Sequence, residues 1–252
     1  MDCVITAGGV PKPDDPLFAY TQGKPKALLE INGRSLLNHI VTAFHQASTV
    51  ENIVVVGLDA AAAPELANYA TFLPDQGSLL ANGLFGISWL RQNKQLTGPV
   101  LMSSSDIPTI TPTIIDHFVN ICHPFDRSVY YNFITRETLE KRFPGSKRTY
   151  VKLKGLEIAG GDLMMAQSEL AESHYDFWQA GINGRKHAWK LARTVGWRTL
   201  LKLLTRRLSL SDIEDVTERI FGTPSKIILN PNAEIGMDID KPNQLELLRK
   251  TT

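Results

Sequence analysis

The sequence predicts a three-layer α/β/α fold: a mostly parallel mixed sheet between helices, with a helical insertion in the second half. Three observations carry this prediction. Short apolar, often β-branched runs such as Ile53-Val54-Val55-Val56 alternate with segments whose apolar residues recur at helical spacing. The strand-like runs are apolar without alternation, as parallel strands covered by helices on both faces require. From 176 to 220 the pattern turns continuously helical and basic.

The elements follow in order. Cys3 to Ala7 is short, apolar and partly β-branched, which suits a buried strand, and Gly8-Gly9 ends it. Ala27 to Ile31 reads as a brief strand closed by the turn Asn32-Gly33. Ser35 is placed to cap a helix in which Leu36, Leu37, Ile40, Val41 and Phe44 share a face. Ile53 to Val56 is a strand, the alanine-rich stretch 60–69 is helical, and 82–90 repeats the amphipathic pattern. Pro99 to Met102 is the next strand, running into Ser103-Ser104-Ser105-Asp106-Ile107-Pro108, and Thr111-Pro112 opens another helix. Beyond it, 128–134, 150–153 and 163–165 read as strands, with a helical turn at 137–142. After the helical stretch come a strand at 226–229, a loop at 234–240 and a final helix at 243–249.

At 252 residues the chain can bury a full core without covalent staples. It reads as one domain, with parts at 1–125, 126–175, 176–222 and 223–252. A net charge of +1 gives no global attraction to nucleic acid, so an anion site must come from local clustering. The two cysteines, Cys3 and Cys122, show no CxxC or framework spacing, which points to a reducing cytoplasm. A strand beginning almost at Met1 leaves no room for a signal peptide, and no apolar run reaches the roughly 18 residues of a membrane span.

Chemistry concentrates in three stretches. The loop after the first strand pairs glycines, whose amides can cradle anions, with Lys12, Lys24 and Lys26. It is neither GxxxxGK[ST] nor GxGxxG. Asp106 follows a strand, where a lone carboxylate suits Mg²⁺ shared with phosphate oxygens and water. Asp238 and Asp240 lie two apart in an extended stretch and so point to the same side. Asp106 also has a plain reading as a turn or cap residue before Pro108, and Asp240 as a helix cap.

The stretches AGG, PKALLEINGRSLLNHIV, SSSDIP and IGMDIDKPNQLELL occur in this order and far apart. Together they resemble the MobA-like nucleotidyltransferase superfamily, which includes molybdopterin guanylyltransferase, methylerythritol-phosphate cytidylyltransferase and sugar-phosphate pyrophosphorylases. The resemblance covers the first half and returns for the last strand and helix. It implies a Rossmann-like, glycosyltransferase-A-like nucleotidyltransferase fold. The implied reaction is Mg²⁺-dependent transfer of a nucleoside monophosphate from a triphosphate to a phosphorylated acceptor, with release of pyrophosphate. Within the resemblance, Ala7, Gly8 and Gly9 hold nucleotide phosphates, and Lys26 contacts them and stabilises the transition state. Asp106 holds the metal, and either Asp238 or Asp240 provides the second metal position. Gln76, Ser78, Asn82 and Gly83 lie in the segment that reads the nucleobase, while Gly160, Gly161 and Asp162 line the acceptor pocket.

One departure stands out. Relatives carry an arginine early in the first loop, where this chain has Val10-Pro11-Lys12. Lys12 could take its place but lacks the planar fork. The basic stretch 142–150 could bind the acceptor's phosphate or be a solvated loop. The basic amphipathic stretch 189–210 could touch an anionic membrane, though packing against the core is the plainer reading. Two rival functions remain: a nucleotide-sugar glycosyltransferase, disfavoured by the lack of DxD after the central strand, and a non-catalytic nucleotide-binding module. The sequence leaves base, acceptor and oligomeric state open.

Overall fold

The computed structural model describes residues 1–173 and 195–251. Within them, seven strands form the path of one sheet: β1 (Cys3–Thr6), β4 (Ile53–Val56), β5 (Thr71–Leu73), β6 (Pro99–Ser104), β7 (Val129–Thr135), β9 (Leu156–Gln167) and β10 (Lys226–Leu229). Their order is β10-β7-β9-β6-β1-β4-β5, and β8 (Val151–Leu153) pairs with β9. A separate antiparallel ribbon joins β2 (Glu30–Ile31) to β3 (Arg34–Ser35). β1 runs parallel to β4 and β6, β4 to β5, and β10 to β7, while β9 opposes both β6 and β7. The sheet is the mostly parallel, mixed one expected.

Alternation along β1 divides the core into two layers. Cys3 and Ile5 join Leu37, Ile40 and Phe44 of α2 (Leu36–Gln46), Ile115 and Phe118 of α4 (Pro112–Ile121), and Leu245 and Leu248 of α8 (Pro242–Thr251). Val4 points the other way, packing with Val54, Val56 and Val100 against Ile87 and Leu90 of α3 (Leu79–Lys94). Each fully buried aliphatic or aromatic side chain contributes about 1.5–3 kcal/mol of transfer free energy. Helix starts follow the capping chemistry read in the sequence. Ser35 Oγ accepts from Asn38 N at 3.1 Å, and Thr111 precedes Pro112 in the first turn of α4.

Four stretches differ from expectation. In place of a strand beginning at Ala27, Lys26–Leu28 is a 3₁₀ turn closed by Leu29 N donating to Lys26 O at 3.0 Å. The stretch 60–69 forms two 3₁₀ turns, Ala60–Ala62 and Pro64–Leu66, because Pro64 has no N–H to continue a helical ladder. β9 runs well past 163–165 and includes Gly160 and Gly161, since pairing on both edges compensates their weak strand propensity. A 3₁₀ turn, Ala233–Gly236, occupies the start of the loop expected at 234–240.

Of the basic helical stretch, 176–194 lies outside the described residues. The remainder forms α6 (Trp197–Leu204) and α7 (Leu210–Phe221), the latter opened by a capping box between Ser209 and Asp212. Trp197, Leu201 and Leu204 of α6 are exposed. No helix among the described residues is long and apolar enough to cross a membrane.

Candidate functional site

Sheet register brings the ends of the parallel strands to one rim. Thr6 stands opposite both Val56 and Ser104, and Val56 opposite Leu73. Gly8-Gly9, Gly57, Asp75 and Asp106 therefore leave the sheet side by side. The reversed β9 places Leu163 opposite Ser103, which brings Asp162 to the same rim. At Gly57 the backbone has φ +109°, and a Cβ there would overlap the backbone of Gly8. Only glycine fits that crossing.

These ends border a cleft of about 640 Å³ lined by residues that include Gly8, Gly9, Lys26, Asp106, Asp162 and Asp240. The long first loop, which carries the short helix α1 (Phe18–Thr21), is tied back to the cleft because Lys26 N donates to Gly9 O at 2.8 Å. Lys26 Nζ then reaches two carboxylates, Asp106 Oδ2 at 2.5 Å and Asp240 Oδ1 at 2.8 Å. Burial disfavours its charge, but the coulombic pull and hydrogen bonds of Asp106 and Asp240 hold its pKa above the ordinary lysine value. Ser104 Oγ donates to Asp106 Oδ1 at 2.5 Å, and Ile239 N donates to Asp106 O at 3.1 Å. That backbone bond fastens the late acidic stretch to the Asp106 loop. Gln244, buried in α8, accepts from both Asp240 N and Lys241 N at 2.8 Å and fixes the loop that leads into that helix.

A second cation enters from the 143–148 loop, between α5 (Arg136–Arg142) and β8. Arg148 forms an ion pair with Asp238, and its Nη1 lies 3.9 Å from Asp240 Oδ2. The loop is clasped to the late acidic stretch by Lys241 Nζ donating to Lys147 O at 2.9 Å and Asn243 Nδ2 donating to Ser146 O at 3.1 Å. Asp162 is half-buried nearby, in the lining of the cleft. Desolvation, reinforced by the charge of Asp106, raises its pKa to about 7 against the partial relief of Arg148. Desolvation works against ionisation of Asp240 too, yet Lys26 and then Arg148 overcome it and lower that pKa.

Ligand atoms of Asp106, Asp238 and Asp240 all lie within 4.8 Å of one another. Three oxygen donors so close fit a hard divalent cation, which favours carboxylates and water. At the far end of the cleft, Asn82 is almost fully buried and spans the turn after β5. Its Oδ1 accepts from Gln76 N at 2.6 Å and its Nδ2 donates to Asp75 Oδ1 at 2.8 Å. Ser78 Oγ caps α3 by accepting from Ala81 N at 3.1 Å.

The candidate residues thus fall into groups. Gly8, Gly9, Lys26, Ser78, Asn82, Asp106, Asp162, Asp238 and Asp240 line the cleft. Ala7 is buried at the end of β1, and Lys12 and Gln76 are exposed outside the lining. Gly83 packs toward Met102, Gly160 toward Tyr131, and Gly161 toward Asn132 and Ile235, where a side chain would collide. Two residues of the site carry no clear sequence signal. Asp75 lines the cleft but sits in no charged motif, and Arg148 is only one cation in a basic stretch without Asp238 beside it.

A family model described as MobA-like NTP transferase domain matches residues 3–142. No curated protein matches the sequence. Among solved structures, one from Thermus thermophilus described as a hypothetical transferase is 31% identical, with a TM-score of 0.80 over 97% of this chain and 98% of that one. A CMP:2-keto-3-deoxy-manno-octonic acid synthetase complexed with CTP is 12% identical, with a TM-score of 0.60 over 99% and 96% of the two chains. A 2-C-methyl-D-erythritol 4-phosphate cytidylyltransferase, also from Thermus thermophilus, is 15% identical, with a TM-score of 0.60 over 99% and 97%. At such identities these last two are alike in fold.

Proposed function

The chain belongs to the MobA-like NTP transferase family, and from that premise we propose that it transfers a nucleoside monophosphate from a triphosphate to a phosphorylated small-molecule acceptor, releasing pyrophosphate. The observation that carries this reading is the bridge from Lys26 to Asp106 and Asp240, at the mouth of a glycine-opened loop. Support also comes from the likeness in fold to proteins whose names include a cytidylyltransferase of a sugar-alcohol phosphate.

In this reading the acceptor's phosphate oxygen attacks the α-phosphorus in line, and the bond to the β-phosphate bridging oxygen breaks. A phosphate monoester is already anionic near neutral pH, so no general base is needed. Catalysis then rests on positioning and on positive charge where negative charge develops. The amides of Gly8 and Gly9 receive phosphate oxygens, and the Lys26 ammonium turns from its carboxylates to the transferring and leaving phosphates. Asp106, with Asp238 and Asp240, would hold Mg²⁺, which when bound neutralises phosphate charge and helps orient the in-line attack. Asp162, on the acceptor side, offers a carboxyl able to hydrogen-bond an acceptor hydroxyl. The Asn82-held turn carrying Asp75 borders the nucleobase end.

The test is pyrophosphate release from each of the four nucleoside triphosphates with Mg²⁺, across sugar phosphates and polyol phosphates. Release that requires both one triphosphate and one phosphorylated acceptor supports the reading. One observation favours the rival, a non-catalytic nucleotide-binding module: Lys12, the residue that could stand in for the family's loop arginine, lies outside the cleft lining. Triphosphate binding with no pyrophosphate release from any acceptor would establish that rival.

A further inference from the structure

The charges around the late acidic stretch are arranged in an unusual way. Asp238 is nearly buried, and its carboxylate is held by Arg148, whose own side chain is only 11% exposed. Arg148 Nη1 also lies 3.9 Å from Asp240 Oδ2, so one guanidinium serves two members of the oxygen cluster. Lys26 serves the other two oxygens, on Asp106 and Asp240. The three carboxylates that could share a divalent cation are therefore compensated in part, three negative charges against two positive, by cations of the chain itself. The guanidinium is not fully hydrogen-bonded, and neither is the Asp238 Oδ1 it faces. Its Nε is buried with no hydrogen-bond partner. A buried N–H left unpaired costs free energy, so the pair is held at a penalty.

We propose that Arg148 is an internal competitor for the metal. It holds Asp238 while no divalent cation is present and must release it when one binds. The inference rests on the reading of Asp106, Asp238 and Asp240 as the metal-holding set, and it adds a residue that sets how tightly they hold. A guanidinium and a dication cannot both occupy the same carboxylate oxygen. Their mutual repulsion across a few ångströms is large wherever water is partly excluded. Release is a side-chain event, because the loop backbone stays clasped through Lys147 O and Ser146 O. The freed fork would emerge beside Asp162, on the acceptor side of the cleft, which couples metal loading to the electrostatics of that pocket.

The experiment measures Mn²⁺ binding without nucleotide, by the loss of the free-ion paramagnetic resonance signal, in the full chain. Arg148→Met should bind Mn²⁺ at least about tenfold more tightly than the parent protein, because the competing charge is gone. Arg148→Lys should be intermediate, since a lysine keeps the competing charge on a single compact ammonium of shorter reach. If Arg148→Met does not fold, Arg148→Lys decides alone. Asp238→Asn should abolish tight binding in either background. Arg148→Met should also melt lower than the parent when metal-free, with Mn²⁺ raising its melting temperature by more than it raises the parent's. Equal or weaker Mn²⁺ binding in folded Arg148→Met and Arg148→Lys, with Asp238→Asn still losing the ion, overturns the Arg148 role and leaves the metal reading standing. No Mn²⁺ binding by any form overturns both.

Discussion

Lys26 Nζ lies 2.5 Å from Asp106 Oδ2, although one residue closes the first loop and the other follows the fourth strand of the main sheet in chain order. The contact depends on the Lys26 N to Gly9 O bond and on the parallel register of β1 with β6. Local turn chemistry and sheet pairing together deliver an ammonium to a carboxylate.

Lys26→Ala should therefore lower turnover by on the order of 100- to 1000-fold, the usual loss for a single preorganised electrostatic stabiliser. Pyrophosphate release at saturating substrates measures it, with far-UV circular dichroism unchanged. Near-normal turnover in the folded variant would remove Lys26 from the chemistry.

Chelation should silence the proposed reaction reversibly. Removing divalent ions with EDTA is expected to stop pyrophosphate release, and added Mg²⁺ to restore it. Asp106→Asn should not respond to added Mg²⁺ at concentrations that saturate the parent protein. Full activity in EDTA would sink the metal assignment.

Asp162 predicts a pH dependence of stability. Its folded pKa, raised to about 7 chiefly by burial and then by Asp106, exceeds the unfolded value of about 4. Between those values the folded state binds more protons than the unfolded one, so this group's contribution falls as pH rises from about 4 to about 7. The groups facing it include Asp106, Arg148, Asp240, Lys26 and Tyr131. Asp162→Asn should be more stable than the parent at pH 8, by on the order of a few kcal/mol, and equal to it near pH 4. Urea denaturation at several pH values checks it, and parallel curves for the two proteins would contradict it.

Asn82→Ala removes both hydrogen bonds that pin the turn after β5. A loss of about 1–3 kcal/mol in stability is expected, with a raised KM for the triphosphate. Gly57→Ala should cost about 2 kcal/mol or more, because its φ of +109° and its contact with Gly8 both exclude a Cβ. Chemical denaturation with nucleotide titration separates the two effects.

What was legible in the sequence was mainly local. Ser35 and Thr111 announced their helices because capping is a matter of a few adjacent residues. Ile53–Val56 announced a doubly covered strand by its composition. β9 was not legible at full length, since Gly160 and Gly161 disfavour a strand that only partners on both edges sustain. Residue type alone narrowed the site to Lys12, Lys24 and Lys26 of the first loop, Asp106, and Asp238 with Asp240; the choice of Lys26 among the lysines came from the family resemblance, and the choice between Asp238 and Asp240 stayed open. Arg148 could not be singled out, since its meaning comes from Asp238, which is distant in sequence and supplied by tertiary contact.

The meeting of Lys26 with Asp240 ties an early part of the chain to a late one. During synthesis the ribosome would release the glycine loop and its lysine long before the partner carboxylates emerge. A nascent or clipped chain ending before Asp238 would thus carry every described strand of the sheet yet only a fragment of the charge cluster. On the proposed reading, such a chain would lack two of the three carboxylates that would hold the metal.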